Sequence, residues 1–217
     1  MDELEILKKN WSKTTGFEQV SESAIYKILL KKSSSVVKWI FIVSVLEFSF
    51  GILLGVLLSF TKYDSESTKI LEKWGVYSLY LLTSVFLYIV ILFFIYRFYM
   101  MYKKITVTDN VKQLLSSIIK TRNVVKQYIA FNLITFAVFF VTFLGYGLYF
   151  EFIERAAKQG DLHPTISTKV WFFSSVLVLI VTLVFVVILW LIYKLLYGIL
   201  LKKLQKNYQE LKKIELD

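Results

Sequence analysis

The chain has 217 residues, of which 57% are apolar and 19% are charged, whereas soluble domains average about 45–50% apolar and 25% charged residues. It contains no cysteine, one histidine and one proline, which excludes disulfide scaffolds, cysteine-ligated metal centres, thiol catalysis and sites built from several histidines. The net charge is +10. The apolar excess predicts a protein that is surrounded by lipid.

Four stretches of the chain are apolar enough and long enough to cross a bilayer. Residues 39–61 hold a single charge, on Glu47, and residues 74–96, 127–150 and 170–193 hold none. A spanning helix needs about 20 residues, and backbone polar groups in lipid must be paired internally. We therefore predict an all-α, polytopic membrane protein, with four transmembrane helices in a bundle at about 37–60, 74–97, 127–150 and 170–194.

The charges that flank the spans predict their orientation. Twenty of the 26 basic residues lie in 1–38, 97–126 and 194–217, and six lie in 61–73 and 151–169. By the positive-inside rule, both termini and the middle loop are cytoplasmic. The first 35 residues carry five acidic residues and no pattern typical of a cleavable signal, so we expect the first helix to be a retained anchor. The predicted location is the bacterial inner membrane, with a multi-pass topology.

The predicted organisation has three parts. They are a cytoplasmic N-terminal segment at 1–35, a transmembrane domain at 36–197 with a basic cytoplasmic loop at 98–126, and a cytoplasmic C-terminal helix at 198–217. Within the transmembrane domain, Val-Val-Lys at 36–38 recurs at 124–126, and the run at 90–97 resembles the run at 187–194. A duplicated two-helix hairpin with parallel repeats would explain both matches, and chance similarity among apolar helices is the alternative.

Amphipathic helices are expected on the cytoplasmic side. Asp109-Asn110 is typical of a helix N-terminus, Ser23 can open a similar helix, and the C-terminal tail repeats the pattern. These helices could lie on the membrane surface, pack on their neighbours, or simply extend the spanning helices. Their apolar positions at helical spacing are Ala24, Ile25, Ile28, Leu29, Val111, Leu114, Leu115, Ile118, Ile119, Leu200, Leu204, Tyr208 and Leu211.

Glu47 is the one charged residue inside the four apolar stretches. It lies nine residues after Lys38, near mid-bilayer, where a charge costs at least about 2.5–3.5 kcal/mol. Gly51 and Gly55 share its helix face and would allow another helix to approach closely. Glu47 is interpreted as a neutral carboxylic acid that hydrogen-bonds across helices, with a proton- or cation-sensing group and a ligand contact as alternatives. The polar residues expected at a similar depth are Thr83, Ser84, Thr135 and Thr182.

Two cytoplasmic surfaces are candidates for binding. Leu4, Leu7 and Trp11 lie on one face of a short amphipathic segment, which could dock in the groove of a protein partner or fold back on this chain. Basic residues beside the membrane attract anionic headgroups, by about 1 kcal/mol per residue, and the net charge therefore indicates topology rather than a nucleic-acid partner. The residues expected to contact anionic lipid are Lys103, Lys104, Lys112, Lys120, Arg122 and Lys126.

The run Leu7-Lys8-Lys9-x-Trp11, the pair Ile25-Tyr26 and residues 31–40 resemble a family of small bacterial four-span inner-membrane proteins, some of which carry a carotene-oxygenase label. An iron oxygenase of that kind needs several histidine ligands, and this chain has one histidine. The resemblance implies a membrane-tethered regulator, similar to an anti-sigma factor, whose cytoplasmic N-terminus holds a transcription factor.

The sequence contains no phosphate-binding loop, metal box, nucleophile elbow or pair of catalytic carboxylates, so we expect neither an enzyme nor a cofactor. The favoured function is a membrane regulator that presents its N-terminal segment to a soluble partner. The first alternative is an accessory subunit of a larger inner-membrane complex, held through Gly51 and Gly55. The second is a small transporter or channel with Glu47 as its ionisable site. A homo-oligomer is compatible with each of these functions.

Overall fold

The structure is a computed structural model that describes residues 22–108, 110–158 and 167–216. Every element in these ranges is a helix: α1 Glu22–Ser59, α2 Lys62–Lys73, α3 Tyr77–Thr106, α4 Val111–Lys158, α5 Thr168–Leu196 and α6 Gly198–Leu216. Four of them, α1, α3, α4 and α5, are long and apolar enough to cross a membrane. The predicted all-α, multi-pass membrane fold is thereby confirmed.

Two of these helices are much longer than a bilayer is thick. The 38 residues of α1 and the 48 residues of α4 extend about 57 Å and about 72 Å at 1.5 Å per residue, compared with about 30 Å of hydrocarbon. α1 crosses residue 35 without interruption, and residues 98–126 are mostly the end of α3 and the start of α4 rather than a loop. In α1 and α4, the amphipathic segments therefore extend the spanning helices.

The start of α4 agrees with the sequence signal at Asn110. The Asn110 side-chain oxygen accepts a 2.9 Å hydrogen bond from the backbone N–H of Lys112, and the Asn110 carbonyl accepts one of 3.0 Å from Leu114. A side-chain cap of this kind satisfies one of the backbone donors that the first turn of a helix leaves unpaired. The cap therefore fixes where α4 begins.

α2 occupies a segment that the sequence analysis placed in a loop, and it ends in a glycine turn. Gly75 has a φ of 68°, a conformation that glycine adopts without steric cost. The N–H of Val76 bonds to the carbonyl of Leu71 at 3.1 Å, as in the Schellman motif at helix C-termini. The turn places Trp74 against α4, where its ring stacks on Phe150 at 5.3 Å.

The bundle has two sides of different packing. The terminal side holds the first half of α1, the end of α3, the start of α4, and α6; the hairpin side holds the α1–α3 and α4–α5 connections. On the terminal side, α1 and α4 each pack against both α3 and α6, which closes a ring of four helices. Most of the buried side chains lie there: Leu29, Val36, Val37 and Ile40 of α1, Phe98 and Ile105 of α3, Leu114, Ile118, Val125 and Tyr128 of α4, and Leu204 and Leu211 of α6.

The membrane-spanning part of the bundle is more open. α1 packs along α3, and α4 packs along α5, but α1 and α5 are not packed along each other in the described chain. Every residue from 49 to 60 in α1 is exposed, as expected for side chains that face lipid rather than protein. Except near Glu47, the side of α5 that is turned toward α1 is therefore not covered by α1.

The burial pattern supports the duplication for the first helix of each half. Residues of α1 and residues 88 positions later in α4 occupy equivalent places in the ring, and both members of each pair are buried. Ser33 and Thr121 supply a hydroxyl at the same position of the two helices. The buried pairs are Leu29 and Ser117, Ser33 and Thr121, Val36 and Val124, Val37 and Val125, and Ile40 and Tyr128.

The second match, 97 residues apart, is not preserved in the packing. Tyr96 is exposed, whereas Tyr193, its counterpart in sequence, lies partly buried against the core. The buried positions of α3 correspond instead to positions 99 residues later, such as Phe98 to Tyr197. The two helices also differ in continuity. α3 runs unbroken to residue 106, whereas the corresponding stretch is interrupted at Tyr197, between α5 and α6.

Candidate functional site around Glu47

The Glu47 carboxyl group lies at the junction of α5 and α6. One carboxyl oxygen accepts a 2.5 Å hydrogen bond from the Tyr193 hydroxyl, and the other accepts a 3.0 Å bond from the Tyr197 hydroxyl. Side chains on a helix tilt toward its N-terminus, so Glu47 on α1 and the tyrosines on the antiparallel α5 lean toward each other. The three residues connect α1 to the end of the last span.

An aromatic shell surrounds this carboxyl group. The Tyr128 ring packs edge-to-face on Tyr193 and Tyr197, with centroids 6.4 and 6.0 Å away. On its other side it contacts Phe94 and Phe98 at 5.4 and 5.5 Å. Edge-to-face pairs at such distances contribute about 0.5–1.5 kcal/mol beyond the area they bury. The shell thus holds the hydroxyl donors in place.

The depth predicted for Glu47 is wrong. Its partner Tyr193 lies in the last turn of α5, next to Lys194, and Thr182 lies eleven residues earlier, about 16 Å away along the helix axis. Glu47 is therefore level with the terminal-side end of α5, not with its middle. The mid-bilayer depth assumes that the membrane surface lies at Lys38. In the structure, α1 begins at Glu22 and is already buried against other helices at Leu29 and Ser33.

The predicted hydroxyl partners of Glu47 are also wrong. The hydroxyl groups of Thr83, Ser84 and Thr182 each donate to a backbone carbonyl four residues earlier in their own helix. Thr135 follows Tyr128 by seven residues, about 10 Å farther along α4. These four residues therefore do not form a polar cluster around the acid.

Gly51 and Gly55 lie on the same helix face as Glu47, but no described helix approaches them. A Cβ atom built on either glycine would meet no other atom within 4 Å. The close helix approach that such spacing permits is therefore not made within this chain.

The basic candidates for lipid contact differ among themselves. Lys103, Lys104, Lys112, Lys120 and Lys126 are exposed on the terminal side. Arg122 is instead partly buried, and its guanidinium donates to the Gln205 side chain of α6. Arg122 thus connects α4 to α6, while the five lysines are free to meet solvent or headgroups. The candidate partner-binding residues Leu4, Leu7 and Trp11 lie outside the described residues.

A second polar contact inside the ring was not predicted. Asn207 of α6 donates a 3.2 Å hydrogen bond to the Ser33 hydroxyl of α1, and both residues are buried. In α4, the Thr121 hydroxyl donates to the Ser117 carbonyl at 2.8 Å. Buried polar groups of this kind favour one helix register over others because a shifted register leaves them unpaired.

The tyrosines are the part of the Glu47 site that sequence reasoning missed. Tyr193 and Tyr197 are four residues apart, a spacing that puts both rings on one helix face. The spacing could therefore have identified the two tyrosines. The mid-bilayer depth assumed for Glu47 instead predicted partners in the middle of the spans.

The chemistry available to this site is limited. In the described part of the chain, Glu47 has no basic side chain within ion-pair distance, and no group of three or more metal-ligating side chains is present. Each Glu47 oxygen accepts one hydrogen bond from a phenolic hydroxyl, from Tyr193 on one and from Tyr197 on the other. The geometry therefore suits a structural role, in which hydrogen bonds hold α1 against the end of α5.

A family model covers most of the chain. Residues 23–216 match the Domain of unknown function DUF8845. The chain belongs to this family. The DUF8845 match begins with α1 and includes every helix of the bundle, so the ring and the four spans form one family unit, and the Glu47 site lies inside it. No curated protein and no solved structure matches the chain.

Proposed function

We propose that this protein is a non-enzymatic membrane regulator that holds a soluble partner at its N-terminal segment, on the cytoplasmic side of the bacterial inner membrane. The observation that supports the proposal is the continuity of α1. The helix begins at Glu22, eleven positions after Trp11 of the candidate binding segment, and runs unbroken to Ser59 on the hairpin side.

The first half of α1 is held in place by packing against other helices. Leu29, Ser33, Val37 and Ile40 are buried against α3, α4 and α6, so this half of the helix is packed into the ring. The 15 steps from Glu22 to Val37 extend about 22 Å. A partner bound to the preceding residues would be tethered to the terminal side of the bundle.

The sidedness and the class of partner rest on the sequence. The excess of lysine on the terminal side favours a cytoplasmic location, and the exposed lysines there would contact anionic lipid headgroups. The resemblance to a family of bacterial four-span proteins favours a transcription factor as the soluble partner, in the manner of an anti-sigma factor.

Site-specific photo-crosslinking in cells tests this proposal. A photoreactive residue replaces Leu7 or Trp11 in the full-length protein, and the crosslinked proteins are identified by mass spectrometry. We expect a soluble protein to be captured from both positions, because an amphipathic segment binds through its apolar face. The same capture should be lost when Leu4 is also changed to Ala.

The control places the photoreactive residue at Lys213, which is exposed on α6 of the terminal side. Lys213 should not capture the protein that positions 7 and 11 capture. If positions 7, 11 and 213 give the same set of proteins, or if positions 7 and 11 crosslink only to this chain, the proposal is contradicted.

A second candidate function is an accessory subunit of a membrane complex, and the open Gly51–Gly55 face favours it. This face of α1 meets no other part of the described chain, and small residues at this spacing let a second spanning helix approach closely. For an accessory subunit, Gly51→Leu should abolish co-purification of the complex in mild detergent. Leu53→Phe, on the opposite face of α1, should leave it intact.

A further inference from the structure

A groove runs between α4 and α5 on the hairpin side of the bundle. It consists of three adjoining cavities of about 230, 290 and 290 Å³, and Trp171 lines all three. The cavities lead from the charged end of α4 into the membrane-spanning part. Their main lining residues are Val141, Gly145, Leu148, Trp171, Ser174 and Val178.

The dimensions of this groove suit an extended chain. From Val141 to Glu151 are ten residues of α4, about 15 Å, which is half of the 30 Å hydrocarbon core and therefore one leaflet. Each cavity is smaller than the 300–1,000 Å³ or so of compact ligand sites. A helix about 10 Å wide would not fit, because α4 and α5 touch along the groove, as at Tyr149 and Trp171 with ring centroids 6.5 Å apart.

The mouth of the groove carries one charge of each sign. Arg155 and Glu151 line it and form an ion pair one turn apart on α4. Both side chains are more than half exposed. Arginine has five N–H donors and a carboxylate has about four acceptor positions, so the pair leaves donors and acceptors available to a ligand. A headgroup with a phosphate and an ammonium group would complement both.

We propose that this groove binds one acyl chain of a zwitterionic glycerophospholipid with a primary ammonium group, its phosphate on Arg155 and its ammonium on Glu151. The chain lies along Gly145, Ser174 and Val178 in the leaflet of the hairpin side. This site is on the opposite side of the bundle from the start of α1, and its test is independent of the proposed function.

Tryptophan quenching tests this proposal, because Trp171 contributes to the wall of all three cavities. In the full-length protein, Trp11, Trp39, Trp74 and Trp190 are changed to Phe, and the variant is placed in phosphatidylglycerol nanodiscs. Phosphatidylethanolamine with brominated acyl chains is then added in steps. A variant that keeps only Trp190, which is exposed on α5, reports the lipids that surround the protein without a specific site.

We expect Trp171 to reach half of its maximal quenching at a mole fraction several-fold lower than Trp190. Brominated phosphatidylglycerol and phosphatidylcholine should quench Trp171 less, because the first lacks the ammonium group and the second has an ammonium without a hydrogen-bond donor. Parallel quenching of Trp171 and Trp190 would overturn the site. Equal or stronger quenching by phosphatidylglycerol would overturn the assignment of its headgroup.

A substitution in the groove separates specific binding from an effect on folding. A Cβ atom at Gly145 would meet no other atom within 4 Å, and Gly145 lines two of the cavities, so Gly145→Leu starts its side chain in open space and reduces the volume of the groove. It should remove the preferential quenching of Trp171. Gly51→Leu, at an equally open position on α1, should not. If Gly145→Leu leaves the preference unchanged, the chain does not bind where we propose.

Discussion

Glu47 joins parts of the chain that are far apart in sequence, since its two tyrosine partners follow it by 146 and 150 residues. Both contacts lie at the end of α5, and α1 and α5 are not packed along each other elsewhere in the described chain. A carboxyl group there serves two hydroxyl donors in a region of reduced polarity, where an unmet hydrogen bond is costly.

Replacing Glu47 with Ala should destabilise the bundle. The change leaves the Tyr193 and Tyr197 hydroxyls without their acceptor, and a polar group left unpaired costs about 1–3 kcal/mol. The measurement is unfolding by sodium dodecyl sulfate in mixed micelles, followed by circular dichroism. In Tyr193→Phe protein the same Ala substitution should cost less, because one of the two donors is already absent.

Ser84 provides the control for this prediction. Its hydroxyl bonds to the Tyr80 carbonyl within α3, so Ser84→Ala removes no contact between helices and should change stability by less than about 0.5 kcal/mol. An equal cost for Glu47→Ala and Ser84→Ala would show that the contacts of Glu47 do not stabilise the bundle.

At this scale, the sequence predicted that Glu47 is special but not what it touches. Its charge in an apolar stretch identified it directly. Its partners depend on how far α1 extends before the membrane and on how α5 is offset against it, which no local pattern encodes. The tyrosines were visible only as aromatic residues near an interface, where tyrosine is common for other reasons.

Among the helices, α1 and α4 play equivalent parts, and the terminal side holds most of the packing. Val37 and Val125 are fully buried at matching positions of the ring, whereas Val138 of α4 is 59% exposed in the spanning part. An exposed valine in the spanning part contacts lipid tails in both the folded and the unfolded state, so removing its methyl groups changes the free energy of unfolding little.

Val37→Ala and Val125→Ala should therefore each lower the free energy of unfolding by about 1.5–3 kcal/mol, from two lost methyl groups and the space they leave. Val138→Ala should have a much smaller effect in the same unfolding measurement. Similar costs at Val37 and Val125 would agree with the duplication. A cost at Val138 as large as at Val37 would mean that the ring is not the main source of stability.

The sequence predicted the four spans well because a charge-free stretch of more than 20 residues is hard to place elsewhere than in lipid. It also identified Asn110 as the start of α4 through a side chain that caps the helix. It missed α2, whose 12 residues carry six charged side chains and lack a long apolar pattern. The joining of the α1 and α4 segments into single helices depends on the packing of the ring, which a local pattern does not show.

For the whole molecule, the terminal side and the hairpin side differ both in the distribution of charge and in the packing of the helices. The terminal side has a closed ring whose outer surface is rich in exposed lysines, whereas the hairpin-side segments 61–73 and 151–169 hold equal numbers of basic and acidic residues, and a groove there is open to lipid. A chain that crosses the membrane an even number of times returns its ends to one side. The lysine excess on that side predicts that it is the cytoplasmic side, because translocating basic segments is disfavoured.

Cysteine labelling in intact cells tests this orientation, and the absence of native cysteine makes single-cysteine variants unambiguous. Lys69→Cys places an exposed thiol on α2 at the hairpin side, and Lys112→Cys and Lys213→Cys place exposed thiols on α4 and α6 at the terminal side. A membrane-impermeant maleimide should label the first and spare the other two until the cells are lysed. Labelling of position 112 or 213 in intact cells, with position 69 protected, would reverse the orientation, and the N-terminal segment could then not meet a cytoplasmic partner.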